Sequence, residues 1–191
     1  MESTVQQSDR SRLVAILQLA YSGELAAAYA YRGHWHSLSD PSERARVKVI
    51  EEEELHHRKL VGEMLQSLDA EPDARRELRA TVMGRTLGFL CHLSGWLAPM
   101  YGAGRLESKN IVEYVTAACY ARDCGRTEFI DCLLTMAEVE WEHEAFFRSC
   151  VVRHWLGKRL AIWSAPPPKE NIRLSFSHEA PVVDDKVHSF A

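Results

Sequence analysis

The stretch that decides the fold is EEEELHHRKLVGEML, residues 51–65, in which four glutamates lead into two histidines and an apolar run. A related run, AEVEWEHEAFF, occupies residues 137–147. Both contain Glu-x-x-His, a spacing that puts the two side chains one turn apart on the same face of a helix. The spacing alone is a weak indication of a metal site. The position of each motif relative to the surrounding apolar residues is a stronger test.

In both runs the motif lies within the apolar face of a predicted helix. Steps of three and four residues, typical of a packed helix face, connect Val47, Ile50, Glu54, His57, Val61, Met64 and Leu68. The same steps connect Phe129, Leu133, Met136, Glu140, His143, Phe147 and Cys150. We therefore expect the four motif residues to point inward. The residues that fall off the first face are expected to be solvated: Glu51, Glu52, Glu53 and His56.

Two further helices each contribute one carboxylate to such a face. In the first helix the apolar face is Leu13, Leu17, Ala20, Glu24, Ala27 and Tyr31, with Glu24 as its lone charge. In the third, Glu113 precedes Ala117 and Tyr120 at the same spacing, although Glu107 and Glu128 lie nearby. The pattern thus predicts one inward carboxylate from each of four helices.

Buried carboxylates without partners cost several kcal/mol or become neutral, so four of them in one core require cations. Two divalent ions balance four carboxylates, and oxygen-rich ligands with one imidazole per metal suit iron or manganese better than structural zinc. Ferritin-like di-iron bundles use this ligand set. The alternative is that each buried Glu or His is a hydrogen-bonded structural group rather than a metal ligand. The predicted ligands are Glu24, Glu54, His57, Glu113, Glu140 and His143.

The chain as a whole indicates an all-α fold. Helical patterns cover residues 9–38, 41–68, 108–124 and 126–155, and Asp40, Pro41 and Glu43 form a helix start signal. To place Glu54 and Glu113 at one level, residues 69–107 must return along the bundle. We therefore predict a ferritin-like four-helix bundle over residues 1–164 with a long helical crossover between its second and third helices. An irregular polar tail is predicted for residues 165–191.

Composition narrows the function classes. The chain has 191 residues, a formal net charge of −4 and no basic stripe, which argues against nucleic-acid binding. The polar opening, residues 1–10, shows no secretory signal pattern. Five cysteines without a C-x-x-C pair indicate reduced thiols in a cytoplasmic chain rather than disulfides or a zinc site.

The sequence resembles the demethoxyubiquinone hydroxylases of ubiquinone biosynthesis, which are ferritin-like di-iron carboxylate proteins. The resemblance spans residues 13–163 and is carried by SGELAAAYAY (22–31), EELHHRKLVGEML (53–65), VEYVTAACY (112–120) and EVEWEHEAF (138–146). It assigns the ligand roles to the six residues named above and implies catalytic roles for Tyr31 and Tyr120. The family has a histidine before the third-helix tyrosine, where this chain has Cys119.

The resemblance implies a monooxygenase with two Fe ions, although Mn or Zn could be present after purification. It would hydroxylate an apolar ring such as a prenylated quinol, using O₂ and electrons from an external reductant. The alternatives are a di-iron oxidase or hydroxylase of another small molecule, ferritin-like or rubrerythrin-like iron or peroxide handling, and a metal-free helical adaptor. We also expect a homo-oligomer.

Two apolar segments predict contact with a membrane surface. Residues 86–101 are too short to span a bilayer, so they form either a buried crossover helix or an apolar surface that lies on lipid. Residues 151–163 combine Val152, Trp155 and Leu160 with basic groups. We therefore expect a cytoplasmic protein that attaches peripherally to the inner face of the cell membrane.

Overall fold

The computed structural model describes residues 2–178 and is helical, without strands in that range. The described helices are α1 (Glu2–Ser37), α2 (Pro41–Ser67), α3 (Ala74–Leu90), α4 (Leu97–Asp123), α5 (Ile130–Arg153) and α6 (Glu170–His178). Short 3-10 turns lie at Thr127–Phe129, before α5, and at Gly157–Arg159, after it.

The sequence signals for the starts of α2 and α3 act as expected. The carboxylate of Asp40 accepts hydrogen bonds from the backbone N–H groups of Ser42 (2.8 Å) and Glu43 (3.0 Å), and Asp73 caps α3 in the same way. The side chain of Glu43 accepts from the indole N–H of Trp96 at 2.6 Å instead of completing a capping box. The start of α2 is thereby joined to the turn between α3 and α4.

Side-chain pairs establish the order and direction of the bundle helices. Arg32 of α1 donates to Glu51 of α2, and Arg58, further along α2, donates to the carbonyl of Tyr21, which comes earlier in α1. Helices α1 and α2 are therefore antiparallel. Helix α4 is antiparallel to α1, because Tyr31 and Tyr114 reach Glu107 and Glu24. Helix α5 is antiparallel to α2 through His57–Glu140 and His143–Glu54. These directions are those of a ferritin-like bundle with one long crossover, as predicted.

The crossover is α3, which packs directly against the backbone of α1. A Cβ atom placed on Gly88 would lie 2.7 Å from the Tyr29 carbonyl oxygen, and Gly84 faces Ala26 just as closely. Such distances leave no room for a side chain on either glycine. Close backbone contact thus fixes α3 alongside the site-bearing half of α1.

The core consists of two apolar clusters separated by a polar layer. One cluster includes Leu17, Val61 and Leu133, and the other includes Ile50 and Phe147. In each bundle helix the ionisable residues of the site fall between positions of the first cluster and positions of the second. The polar layer is therefore enclosed above and below by packed apolar side chains.

Helix α1 includes a segment, residues 7–37, that is long and apolar enough to cross a membrane by length and composition alone. The same segment supplies Leu13, Leu17 and Tyr31 to the interior of the bundle and carries the buried Glu24. Its apolar character is explained by its position as a core helix.

Two features of the structure differ most from the predictions. Helix α4 begins at Leu97 rather than at residue 108, because Pro99 lies in the first turn, where proline removes no needed hydrogen bond. The prediction of an irregular tail was wrong for α6, whose Ile172 is buried against the core and whose Arg173 pairs with Glu138 and Asp131. The rest of the predicted tail, residues 179–191, lies outside the described residues.

Candidate metal centre

Six buried side chains from α1, α2, α4 and α5 converge in the polar layer. They form two groups within which the potential ligand atoms lie within 4.8 Å of one another. The first half-site is Glu24, Glu54, His57 and Glu140, and the second half-site is Glu54, Glu107, Glu140 and His143. Glu54 and Glu140 belong to both. The arrangement therefore has two adjacent ligand sets that share a pair of carboxylates.

The two imidazoles lie against the shared carboxylates. His57 Nδ1 is 2.9 Å from Glu140 Oε1 and 3.9 Å from Glu24 Oε1. His143 Nδ1 is 3.2 Å from Glu54 Oε1 and 3.6 Å from Glu140 Oε2. Glu54, Glu140 and His143 are fully buried, at 0% exposure. In each half-site the imidazole Nδ1 atom therefore faces carboxylate oxygens inside the bundle.

Several of these atoms lack hydrogen-bond partners, which tests whether a cation fits. Among the described residues, the unpaired buried atoms of the layer are Glu24 Oε2, both oxygens of Glu54, Glu140 Oε2 and His143 Nδ1. Unpaired buried carboxylate oxygens are strongly unfavourable. All of them belong to the two half-sites, and oxygen with imidazole nitrogen is a donor set for iron or manganese. The residues present fit a pair of divalent cations.

Protonation balances the charge of this arrangement when only protons are available. Burial, followed by the charge of Glu54, raises the pKa of Glu24 well above its ordinary value, and burial with the charge of Glu140 raises that of Glu107. Burial alone would lower the pKa of His143, but the neighbouring carboxylates of Glu140, Glu53 and Glu54 raise it to about 12. The layer thus holds excess negative charge that either protons or metal cations must compensate.

Two tyrosines connect the half-sites in a reciprocal pattern. Tyr31 follows Glu24 by seven residues on α1, and Tyr114 follows Glu107 by seven residues on α4. The Tyr31 hydroxyl donates to Glu107, whereas the Tyr114 hydroxyl donates to Glu24. Each tyrosine therefore orients the carboxylate of the facing helix, and α1 and α4 play equivalent parts.

The structure places five of the six predicted ligands together and replaces the sixth. Glu113 belongs to neither half-site, and the α4 carboxylate in the cluster is Glu107. The sequence contains two Glu–Tyr pairs with the same spacing, 107–114 and 113–120, and the prediction took the second pair. The distinguishing signal was the longer apolar face, with steps of four and three residues: Met100, Gly104, Glu107, Ile111, Tyr114, Ala118 and Ala121.

The alternative pair occupies other positions. Glu113 is partly buried, and burial together with the charge of Glu140 raises its pKa to about 7. Tyr120 packs against the cluster of Leu17, and the guanidinium of Arg12 lies 5.9 Å from its ring centre. The Tyr31 hydroxyl donates to Glu107 of the second half-site, whereas among the described residues no hydrogen bond joins Tyr120, the other predicted catalytic residue, to either half-site. The residue before the site tyrosine of α4 is Glu113, not Cys119.

One of the glutamates expected to be solvated is buried. Glu51 is 6% exposed and accepts hydrogen bonds from Arg32 (2.7 Å) and from the indole of Trp35 (2.6 Å). Glu53, also expected in solvent, lies 2.8 Å from His143 Nε2 and pairs with Arg46. The apolar-face pattern does not reveal such residues, because their partners come from other helices. Glu52 and His56 are exposed as expected.

A known protein family matches the part of the chain that contains α2, α3 and most of α1 and α4. The family model described as ubiquinone biosynthesis protein COQ7 matches residues 11–115. The matched range contains Glu24, Glu54, His57 and Glu107 and ends before α5, so Glu140 and His143 are positioned by the structure alone. No curated protein and no solved structure matches the chain.

Proposed function

The chain belongs to the family of ubiquinone biosynthesis protein COQ7, whose match covers residues 11–115 of its 191, and we propose that it is a di-iron monooxygenase. Its substrate would be an apolar ring such as a prenylated quinol, hydroxylated with O₂ and electrons from an external reductant. The observation that carries the proposal is the pair of half-sites with shared carboxylates and unpaired oxygens.

The ligands would divide between two ions. Glu24 and His57 would serve one ion, Glu107 and His143 the other, and Glu54 and Glu140 would be available to both. Iron, when bound, would supply the activation of O₂. Zinc or manganese could occupy the same atoms after purification, so the metal found in a preparation is not by itself an indication of the metal used.

The protein's own residues would orient the ligands and keep the site dry. The hydroxyls of Tyr31 and Tyr114 fix Glu107 and Glu24, which limits the positions that these carboxylates adopt. Ala27, Phe147 and Met136 are buried beside the layer and exclude water. A water-poor, oriented site is the contribution that a protein makes to this kind of chemistry.

Exposed apolar side chains on α3 support contact with a membrane. Val82, Met83 and Phe89 are 54–64% exposed, and Leu93 in the following turn is 68% exposed. Exposed arginines lie on the same helix: Arg75, Arg76, Arg79 and Arg85. An apolar surface with basic groups beside it suits an anionic lipid surface. A membrane would also be the source of the prenylated quinol substrate.

The second predicted membrane segment lies at the same end of the bundle. Trp155 is 65% exposed just after α5. The neighbouring His154 ring stacks on Trp96, with ring centres 5.0 Å apart, and Trp96 ends the turn that contains Leu93. We propose that both segments form one surface that attaches the protein to the cytoplasmic side of a membrane. Assembly into a homo-oligomer stays a prediction.

The test is turnover with labelled oxygen. The purified protein, loaded anaerobically with Fe(II), would be mixed with a short-chain demethoxyquinol, a chemical reductant and isotopically labelled O₂. The proposal expects a product that has gained one labelled oxygen atom on the ring. Rapid Fe(II) oxidation or peroxide consumption with no labelled product would support iron or peroxide handling and would contradict the monooxygenase.

A further inference from the structure

A cavity lies at the end of the bundle where the α1–α2 turn meets the α3–α4 turn. Its volume is about 230 Å³, and its walls come from some residues of the segments 34–39 and 91–99, among them His34, Leu38 and Trp96. Among the lining residues that the structure describes, none is Asp, Glu, Lys or Arg. The cavity is therefore suited to a neutral ligand rather than to an ion.

His34 is one of the polar residues that line this cavity, with Ser37, Ser39 and His92. The residue is 2% exposed, and its Nε2 atom has no hydrogen-bond partner in the described part of the chain. Burial lowers its pKa to about 4, so the ring is neutral at physiological pH. A buried nitrogen without a partner is unfavourable. A ligand that forms a hydrogen bond with this nitrogen would remove that cost.

The chemistry of the walls narrows the ligand. A neutral imidazole nitrogen is a donor in one tautomer and an acceptor in the other, and a hydroxyl group fits either. Leu38, Trp96 and Pro99 add apolar and aromatic surface. The volume is below the range of roughly 300–1,000 Å³ typical of pockets for drug-sized ligands. These features together describe a single aromatic ring that carries a hydroxyl group.

Stacked rings connect the cavity to the metal centre. The His34 ring centre lies 6.4 Å from that of Tyr31 and 6.0 Å from that of Phe147, and the three rings are close to parallel. The Tyr31 hydroxyl donates to Glu107 of the second half-site. A molecule bound to His34 would therefore be connected to the Glu107 carboxylate through two rings, those of His34 and Tyr31.

We propose that this cavity binds the hydroxylated ring of a phenol or quinol, with the ring hydroxyl hydrogen-bonded to His34 Nε2. The cavity is a holding site outside the metal centre, on the end of the bundle that carries Leu93 and Trp96. This inference rests on the proposed function, since it identifies where a quinol ring is held before reaction.

Phenol and toluene are the probes, because toluene has a methyl group in place of the hydroxyl group of phenol. Their binding to the full-length protein would be measured by calorimetry, and the histidine ring resonances would be followed by NMR. His34→Phe keeps a ring for stacking but removes both nitrogens. His36→Phe is the matched control, because His36 lies on the same helix, is exposed and does not line the cavity.

The expected result is saturable phenol binding that shifts the ring resonances of His34, which are identified by their absence in His34→Phe. Phenol affinity falls about tenfold or more in His34→Phe, toluene affinity does not fall, and His36→Phe behaves as wild type. Equal phenol affinity in wild type and His34→Phe would overturn the proposal, as would the absence of saturable phenol binding up to millimolar concentrations.

A cavity-filling variant protects the test if His34→Phe fails to fold. Cys91 also lines the cavity, so Cys91→Phe should exclude phenol and toluene alike, and undiminished phenol binding in this variant would overturn the proposal. The readout is binding rather than turnover. Phenol binding at His34 with no hydroxylation of the demethoxyquinol would therefore contradict the proposed function alone. Hydroxylation of the demethoxyquinol with no phenol binding at His34 would contradict this inference alone.

Discussion

The two half-sites have equivalent ligands but unequal surroundings. In the second half-site, His143 is also bound through Nε2 to Glu53 (2.8 Å), and Glu107 accepts from Asn110 (2.8 Å). In the first, Glu24 keeps one oxygen unpaired, and His57 has no second hydrogen-bond partner among residues 2–178. Outer hydrogen bonds fix the orientation of metal ligands and raise affinity. The second half-site is therefore expected to bind its metal ion more tightly than the first.

The largest effect is expected where the half-sites overlap. Glu54 is fully buried and belongs to both, so Glu54→Ala should abolish binding of both ions and all activity. Glu52→Ala is the control, because Glu52 is exposed two residues away on the same helix. Metal content by elemental analysis checks the prediction. A Glu54→Ala protein that retains one tightly bound ion would show that the two ligand sets are independent.

A change confined to the second half-site should remove its ion and spare the other. Glu107→Gln should lower the metal content from about two ions per chain to about one, because the amide is a weaker ligand without charge. Glu113→Gln should leave both ions in place, since Glu113 belongs to neither half-site. Loss of an ion from Glu113→Gln, with both ions retained in Glu107→Gln, would favour the sequence-based choice of ligand over the structural one.

A change to Glu53, the outer hydrogen-bond partner of His143, should reduce the difference in metal affinity between the half-sites without abolishing metal binding at either. Glu53→Gln removes the carboxylate that holds His143 Nε2, so the affinity of the second half-site should fall about tenfold. Fe(II) titration with two resolved binding steps would show the tighter step weakening. If the weaker step changed instead, the assignment of the tighter ion to the second half-site would be reversed.

The remaining effect is on stability rather than on metal binding, and it comes from His34, whose ring stacks beside Tyr31. Burial lowers the pKa of His34 from its ordinary 6.5 to about 4. Below pH 6.5 the unfolded chain gains a proton at His34 that the folded chain does not, so the free energy of unfolding decreases as the pH falls towards 4. The decrease from this residue is at most about 3 kcal/mol. Chemical denaturation at a series of pH values between 4 and 6.5 measures this effect. The free energy of unfolding should depend less steeply on pH in His34→Gln than in wild type.

Much of the fold and most of the site followed from the sequence. Glu54, His57, Glu140 and His143 lie within unbroken apolar helix faces, so helix geometry alone predicts that their side chains point inward. The choice between Glu107 and Glu113 did not follow in the same way, because both precede a tyrosine by seven residues and the helix start at Leu97 was hidden by Gly and Pro99. Residues such as Glu51 and α6's Ile172 are buried by contacts from distant segments, which periodicity within one helix does not encode.

The central proposal is that Glu54 and Glu140 would serve both of two metal ions, one of which would also be held by Glu24 with His57 and the other by Glu107 with His143. Anomalous diffraction at the iron edge from Fe(II)-loaded crystals tests it directly. The account predicts two anomalous peaks in the polar layer, one within each half-site, with Glu113 bound to neither. A single peak, or a peak ligated by Glu113 in place of Glu107, would contradict it.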